Sequence, residues 1–359
     1  MKILILYMEL ADYTVQCLKK LKLAHPEVSI HTVAYPINDE APFNFDFTTI
    51  GKLYNRDKFD HEKLQLFVDK IDPQLIICSG WKDKSYLKVI RTWRNKATTV
   101  MCMDNEWHAS LRQRLSALAA RFFLPKVFNY IWVPYKRQGK FAKKLGFNDE
   151  CIKYGFYTAD TEKFSGFYEK NIKAKQAAFP KVFLCVARYF PQKNLETLWN
   201  AFVQLQNEEP NEWELWNMGT GTDFEKRFID PKIKHLGFVQ PNQMEEYIAK
   251  AGVFVLPSLF EPWGVVVHEF AASGFPLLIS KHVGASQAFV ENGINGYVFK
   301  PSSVENIKEA LLKIMQLPDH ELNQMGINSA EIAKQINQEA WVEQCMQFIN
   351  HGKAVSAAL

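Results

Sequence analysis

Val253-Phe-Val-Leu-Pro-Ser-Leu-Phe-Glu261-Pro262-Trp263-Gly264-Val265-Val-Val-His268-Glu269-Phe-Ala-Ala-Ser-Gly274-Phe-Pro276 is the stretch on which the fold turns. Its first residues form an unbroken apolar run ending at Pro257, the pattern of a strand buried on both faces of a parallel sheet. A loop then delivers Glu261. Pro262 stands just ahead of a first helical turn, and a helix is expected over 265–273, opening near Gly264 and carrying Glu269. A second apolar run follows at 276–280, so the segment reads as one strand-helix-strand unit of an open α/β sheet.

Working outward, the same alternation recurs on both sides. In the C-terminal half strands are expected at 182–186, 214–218, 233–238, 253–257, 276–280 and 296–299. Helices fit between them at 194–206, 243–251, 265–273, 285–291, 303–316 and 320–336. In the N-terminal half the expected strands are 2–7, 28–35, 75–78, 98–102 and 130–133, with helices at 12–24, 61–71, 85–94, 111–123 and 137–145. The polar, Lys-rich stretch 168–176 separates the two series. The organisation expected is a domain over 1–165, a second over 166–336, and a C-terminal helix within 337–359 that returns to pack on the first. Each domain is Rossmann-like. Ligands of such sheets bind where strands end and helices begin, so two of them facing across a cleft place the chemistry there.

The 359 residues suffice for about two domains, and 47% apolar with 23% charged residues is the composition of an ordinary folded protein. No run approaches the roughly 18 uninterrupted apolar residues of a membrane-spanning helix. Six cysteines stand far apart without a C-x-x-C pair and read as reduced core residues of a cytosolic protein. A net charge of +4 does not point to a nucleic-acid partner.

A helix start such as that near Gly264 attracts phosphate through its unpaired amides and dipole, and a glycine there removes the side chain that would block close approach. Glu261 ahead of the helix and Glu269 within it can reach different parts of one extended, hydroxyl-rich ligand. With seven residues between these glutamates, in this sequence setting and continuing through Gly284 to the turn 291–296, the chain resembles the retaining glycosyltransferases of family 4, of GT-B fold. The resemblance implies that Glu261 holds hydroxyls of a donor sugar and Glu269 the ribose of its nucleotide, with Trp263, Gly264 and Val265 in the donor-binding set. Val186-Ala187-Arg188-Tyr-Phe-Pro191-Gln192-Lys193-Asn194 is similar to the family segment whose arginine and lysine neutralise the donor diphosphate. Arg188 can fork two phosphate oxygens and Lys193 adds a compact charge. No Asp-x-Asp metal motif occurs, so catalysis without a metal is expected. Gly219 and Gly221 occupy the family's glycine turn near the nucleotide, and main-chain groups of Phe238 or Val239 stand where the base edge is read.

The first domain departs from the family. Tyr7 is followed by Met8-Glu9-Leu10-Ala11-Asp12 where relatives carry a glycine-rich loop, and Ala288 stands where many have an acid. Asp104, with His108 beyond it, falls where relatives place an acceptor-side histidine or aspartate; a cap on the next helix is the other reading of Asp104, and an ordinary surface residue the other reading of His108. The segment 154–160, with Phe164, resembles the family's bridge between domains.

From Trp107 through Asn148 there is no Asp or Glu, while nine Lys and Arg fall inside, interleaved with Leu111, Leu115, Leu118 and Phe122. Such helices can lie on an anionic bilayer; alternatively the leucines face the core and the charges face water. The expected activity is transfer of a sugar, with retention, from a UDP- or GDP-linked donor to a glycan or lipid-linked acceptor at the cytoplasmic membrane face, with no other cofactor. A sugar-nucleotide epimerase of similar fold and a non-catalytic nucleotide-sugar binder are the rivals.

Overall fold

The computed structural model describes residues 1–36 and 46–357, the last seven of them as helix without side chains. The described residues divide into two compact units. One combines the chain up to Thr158 with the part from Gln338 onward, and the other is Ala159–Asn337. The handover at Thr158/Ala159 lies inside the bridge segment expected at 154–160. A boundary at 165/166 falls instead within a helix, Thr161–Ala177, that the sequence pattern does not predict. Its buried face consists of Phe164, Phe167 and Lys175, too sparse among polar residues to produce an apolar stripe.

The first unit holds seven strands: β1 (Lys2–Tyr7), β2 (Ser29–Ala34), β3 (Lys52–Asn55), β4 (Leu75–Ser79), β5 (Thr98–Cys102), β6 (Tyr130–Val133) and β7 (Ile152–Tyr154). All neighbours are parallel, in the order β3-β2-β1-β4-β5-β6-β7. Successive side chains of a strand point to opposite faces. Leu4 and Leu6 accordingly join one apolar cluster and Ile3, Ile5 and Tyr7 another. The second cluster is closed by the C-terminal helix, Gln338–Ala357, which contributes Trp341, Val342, Cys345, Phe348 and Ile349. Trp341 Nε1 donates to the Phe156 carbonyl at 3.0 Å, and the Trp132 and Trp341 ring centroids stand 5.1 Å apart.

The second unit holds β8 (Val182–Val186), β9 (Glu214–Met218), β10 (Ile233–His235), β11 (Val253–Leu256), β12 (Leu277–Ser280) and β13 (Gly296–Phe299). The order β10-β9-β8-β11-β12-β13, again all parallel, reverses direction between β8 and β11. Both units are therefore doubly wound, Rossmann-like α/β layers, the architecture of the GT-B class. No helix of the described residues is long and apolar enough to cross a membrane. Of the six cysteines all but Cys151 are buried.

Candidate active site

In an open parallel sheet the crevice forms where the strand order reverses, which in the second unit is the carboxyl end of β8 and β11. The loop after β8 carries Arg188 and Lys193, and the loop after β11 carries Glu261. Lys193 Nζ donates to Glu261 Oε2, closing a salt bridge across the switch point, with both side chains largely shielded from water. Two further bonds set the two loops in register, and a third ties them to the loop after β13. Leu259 N donates to the Gln192 carbonyl at 2.8 Å, and the buried Asn194 amide donates to the carbonyls of Pro257 (3.3 Å) and Pro301 (3.0 Å). Asn194 adopts a left-handed conformation, φ 60°, which asparagine tolerates better than other side chains. It lies between Lys193 and the helix Leu195–Glu208, so its turn decides where the lysine points. Glu261 is held from its other side by Gly284 N, which donates to the Glu261 carbonyl at 3.0 Å, and by its own N–H to the His282 carbonyl at 3.1 Å.

The helix after this loop runs Val265–Ala272 with Gly264 at its N-cap, φ 89°. A Cβ on Gly264 would stand 3.0 Å from Glu261 Cγ and 3.2 Å from Val283 Cγ1, so the glycine lets the helix entrance and the acid share one small space. No side chain caps this entrance, and the first amides of a helix have no partner within it. Trp263 and Val265 on either side of Gly264 are buried, and the Trp263 ring packs edge-on to Phe289. Glu269 is half-buried one turn into the helix. Its neighbour His268 is a core residue: Nδ1 accepts from Ala159 N, Nε2 donates to the Ala333 carbonyl, both at 3.0 Å, and burial lowers its pKa to about 4.

Gly219 and Gly221 lie past the end of β9 and press against the loop that bears Arg188. A Cβ on Gly219 would come within 2.1 Å of the Ala187 carbonyl oxygen, and one on Gly221 within 2.7 Å of that of Tyr189. Tyr189 N donates to the Thr220 carbonyl at 2.8 Å, locking the two turns together. The Arg188 guanidinium lies 5.0 Å from the Phe190 ring centroid. Gly219 N also donates to the Gly237 carbonyl at 2.7 Å, which draws Phe238 and Val239 beside the glycine turn. Both are half-buried and lie beyond β10, which ends at His235 rather than Phe238 because Gly237 turns the chain at φ 71°. One support was not anticipated. Tyr189 Oη donates to His235 Nδ1 at 2.8 Å while His235 Nε2 donates to the Phe228 carbonyl at 2.7 Å, and burial lowers the histidine's pKa.

In the first unit Asp104 follows β5, half-buried, and accepts from Tyr157 Oη at 3.4 Å. It does not cap the next helix, Leu111–Ala120. Ser110 does so, accepting from Gln113 N at 3.2 Å. His108 is exposed, and its N–H donates to Gln113 Oε1 at 2.7 Å. Sequence offered no sign of Tyr157, which arrives from beyond β7.

Cations, an amide-rich helix entrance and two acids on one sheet edge suit a ligand with a polyanionic middle and hydroxyl-rich ends. Residues 168–332 match the family model described as glycosyl transferases group 1. That match takes in most of the second unit. An uncharacterised glycosyltransferase of Methanocaldococcus jannaschii is 26% identical over 156 residues, 42% of this chain and 39% of that one. An alpha-monoglucosyldiacylglycerol synthase of Acholeplasma laidlawii is 29% identical over 171 residues, 46% of this chain and 42% of its own. The matches thus span less than half the length of these curated relatives. HepE of Anabaena, solved in complex with UDP and glucose, shares the fold with a TM-score of 0.74 at 16% identity, over 98% of this chain and 100% of that one. The segment matched by the family model contains Arg188, Lys193, both glutamates and the glycine turns, and ends before the C-terminal helix.

Proposed function

We propose that the chain is a retaining, metal-independent glycosyltransferase that moves a sugar from a UDP- or GDP-linked donor to a hydroxyl of a glycolipid or polysaccharide precursor at the cytoplasmic membrane face. The observation that carries this reading is the Lys193–Glu261 bridge at the β8/β11 switch point, beside the Gly264 helix entrance. The donor diphosphate lies against Arg188, Lys193 and the first amides of Val265–Ala272, where charge that develops on the departing phosphate is met by groups already in place. Glu261 orients the sugar hydroxyls and Glu269 the ribose, while the main chain at Phe238 and Val239 faces the base. The bond from the anomeric carbon to the phosphate oxygen breaks as the bond to the acceptor oxygen forms on the same face. The acceptor proton passes to the departing phosphate oxygen, so no protein base is needed there. Asp104, with His108, belongs to the acceptor side.

The UDP and glucose bound by HepE support a UDP-hexose donor. The name of the Acholeplasma relative supports a lipid acceptor, as does the acid-free, cation-rich stretch 107–148.

Thermal unfolding and slow hydrolysis measured with UDP-glucose, UDP-galactose, UDP-N-acetylglucosamine and GDP-mannose test the reading. One donor should raise the melting temperature and be hydrolysed, and Lys193→Ala and Glu261→Ala should each lower that hydrolysis about 100-fold or more. Absence of any donor effect, or hydrolysis indifferent to both substitutions, would refute it.

A further inference from the structure

The first unit has a groove of about 980 Å³ between the helices Leu111–Ala120 and Lys136–Lys144 that the donor chemistry leaves unused. Six cations line it, Arg114, Arg121, Arg137, Lys140, Lys143 and Lys144, against one acid, Glu106. Glu106 is already engaged by Gln138 Nε2 at 3.3 Å and by Arg137 at 3.8 Å, and Lys143 reaches Asp149 at 2.6 Å. Among the described residues no acid pairs with Arg114, Arg121, Lys140 or Lys144. Lys144 instead stands 5.3 Å from the Trp107 ring centroid and Arg121 5.5 Å from that of Phe122. Gly146 fixes the spacing of the two walls: at φ 94°, a Cβ there would stand 2.7 Å from the Arg121 carbonyl oxygen. So many like charges around one concavity are relieved by a bound anion.

Beside the groove the chemistry changes. Leu111, Leu115, Leu118 and Phe122, spaced to share one helix face, are 74, 61, 57 and 64% exposed, whereas the residues this helix buries are Ala117 and Ala120. The leucines therefore do not face the core, and the arrangement is the reverse of the usual amphipathic helix. Leu118 belongs to both the stripe and the groove lining, so the two are continuous. The stripe extends about 16 Å along the helix. That geometry fits a helix lying in the plane of a membrane interface.

We infer that groove and stripe together bind a phosphate-headed membrane lipid. The phosphate is held among Arg114, Lys140 and Lys144, and the chains lie along Leu111, Leu115 and Phe122. The inference rests on the membrane-face reading above and names the surface and the lipid chemistry that realise it. An apolar stripe joined to an unneutralised cation groove is complementary to an anionic lipid at both of its ends.

Co-sedimentation of the full chain with phosphatidylcholine vesicles, with and without phosphatidylglycerol, tests it. Binding should require phosphatidylglycerol. It should weaken about tenfold or more in Arg114→Ser/Lys140→Ser/Lys144→Ser and likewise in Leu115→Ser/Leu118→Ser. An equal-charge control on the same unit, Lys70→Ser/Lys84→Ser/Lys88→Ser, should stay within about twofold of wild type, because none of the three lines the groove, whereas attraction by charge alone would weaken both triple variants equally. Loss of binding in the control equal to that in the groove variant, full binding by the stripe variant, or binding indifferent to phosphatidylglycerol would each overturn the inference. So would release of the chain from vesicles by soluble glycerol phosphate, which would mark a site for a free phosphate. If the groove variant does not fold, the stripe variant decides. Donor hydrolysis by the wild-type chain is scored separately, so a failed donor assay beside intact vesicle binding condemns the transferase reading and not this one.

Discussion

Lys193 and Glu261 satisfy each other before any ligand arrives, and removing either leaves a poorly hydrated charge beside the helix entrance. Lys193→Met should therefore weaken UDP binding, read by calorimetry, as well as turnover. Gly264→Ala tests the shared space more locally. A left-handed conformation costs an ordinary residue about 1–2 kcal/mol, and the new methyl meets Glu261 Cγ. A modest fall in melting temperature with a larger loss of donor hydrolysis is expected. Lys175 makes a prediction of another kind. Its Nζ is buried without a hydrogen-bond partner, 3.7 Å from the Phe275 ring centroid, and burial lowers its pKa to about 7. Between about pH 7 and its ordinary value of 10.5 the unfolded chain holds a proton there that the folded chain has released. Stability from this group is complete above that window and is lost as pH falls through it. Lys175→Met should stabilise the chain at pH 7, and the stability gap between variant and wild type, followed by urea unfolding, should shrink as pH rises to 10.

The helix Leu111–Ala120 separates what its sequence shows from what its packing does. The apolar spacing of Leu111, Leu115 and Leu118 is visible in the sequence, but the face that is buried is the one bearing Ala117 and Ala120. Leu115→Ser should leave the urea midpoint nearly unchanged, while Ala117→Leu should lower stability by about 1–3 kcal/mol through overpacking. Legibility elsewhere follows the same physics. β1, β5, β6, β8, β9 and β13 are found to the residue, the first four because a strand buried on both faces needs a near-continuous run of apolar or β-branched residues. The edge strands β3, mostly exposed, and β7, three residues long, carry no such run. At the site, the acids, cations and glycines were visible as types and spacings. Contacts between residues far apart in the chain, Tyr157 with Asp104 and Tyr189 with His235, leave no local trace.

Among the described residues the chain passes from one unit to the other twice, and the second passage brings the helix Gln338–Ala357 onto the unit whose sheet is built by residues 2–154. That helix shares the cover of one face with the helix Asp12–Ala24: Trp341, Cys345 and Phe348 lie in the cluster that includes Ile5, Leu18 and Trp132. Cutting the chain after Asn337 should therefore lower or abolish the unfolding transition of the first unit in calorimetry while the second unit keeps its own.

The same helix imposes an order on biosynthesis. Domains ordinarily fold from the N-terminus as the ribosome releases them, yet here the first unit lacks part of one wall until Gln338–Ala357 is translated. The later unit has all of its elements first. A nascent chain paused near residue 337 should thus shield its second unit from protease and leave its first unit open, with the partly uncovered sheet face in need of a chaperone until Gln338–Ala357 emerges.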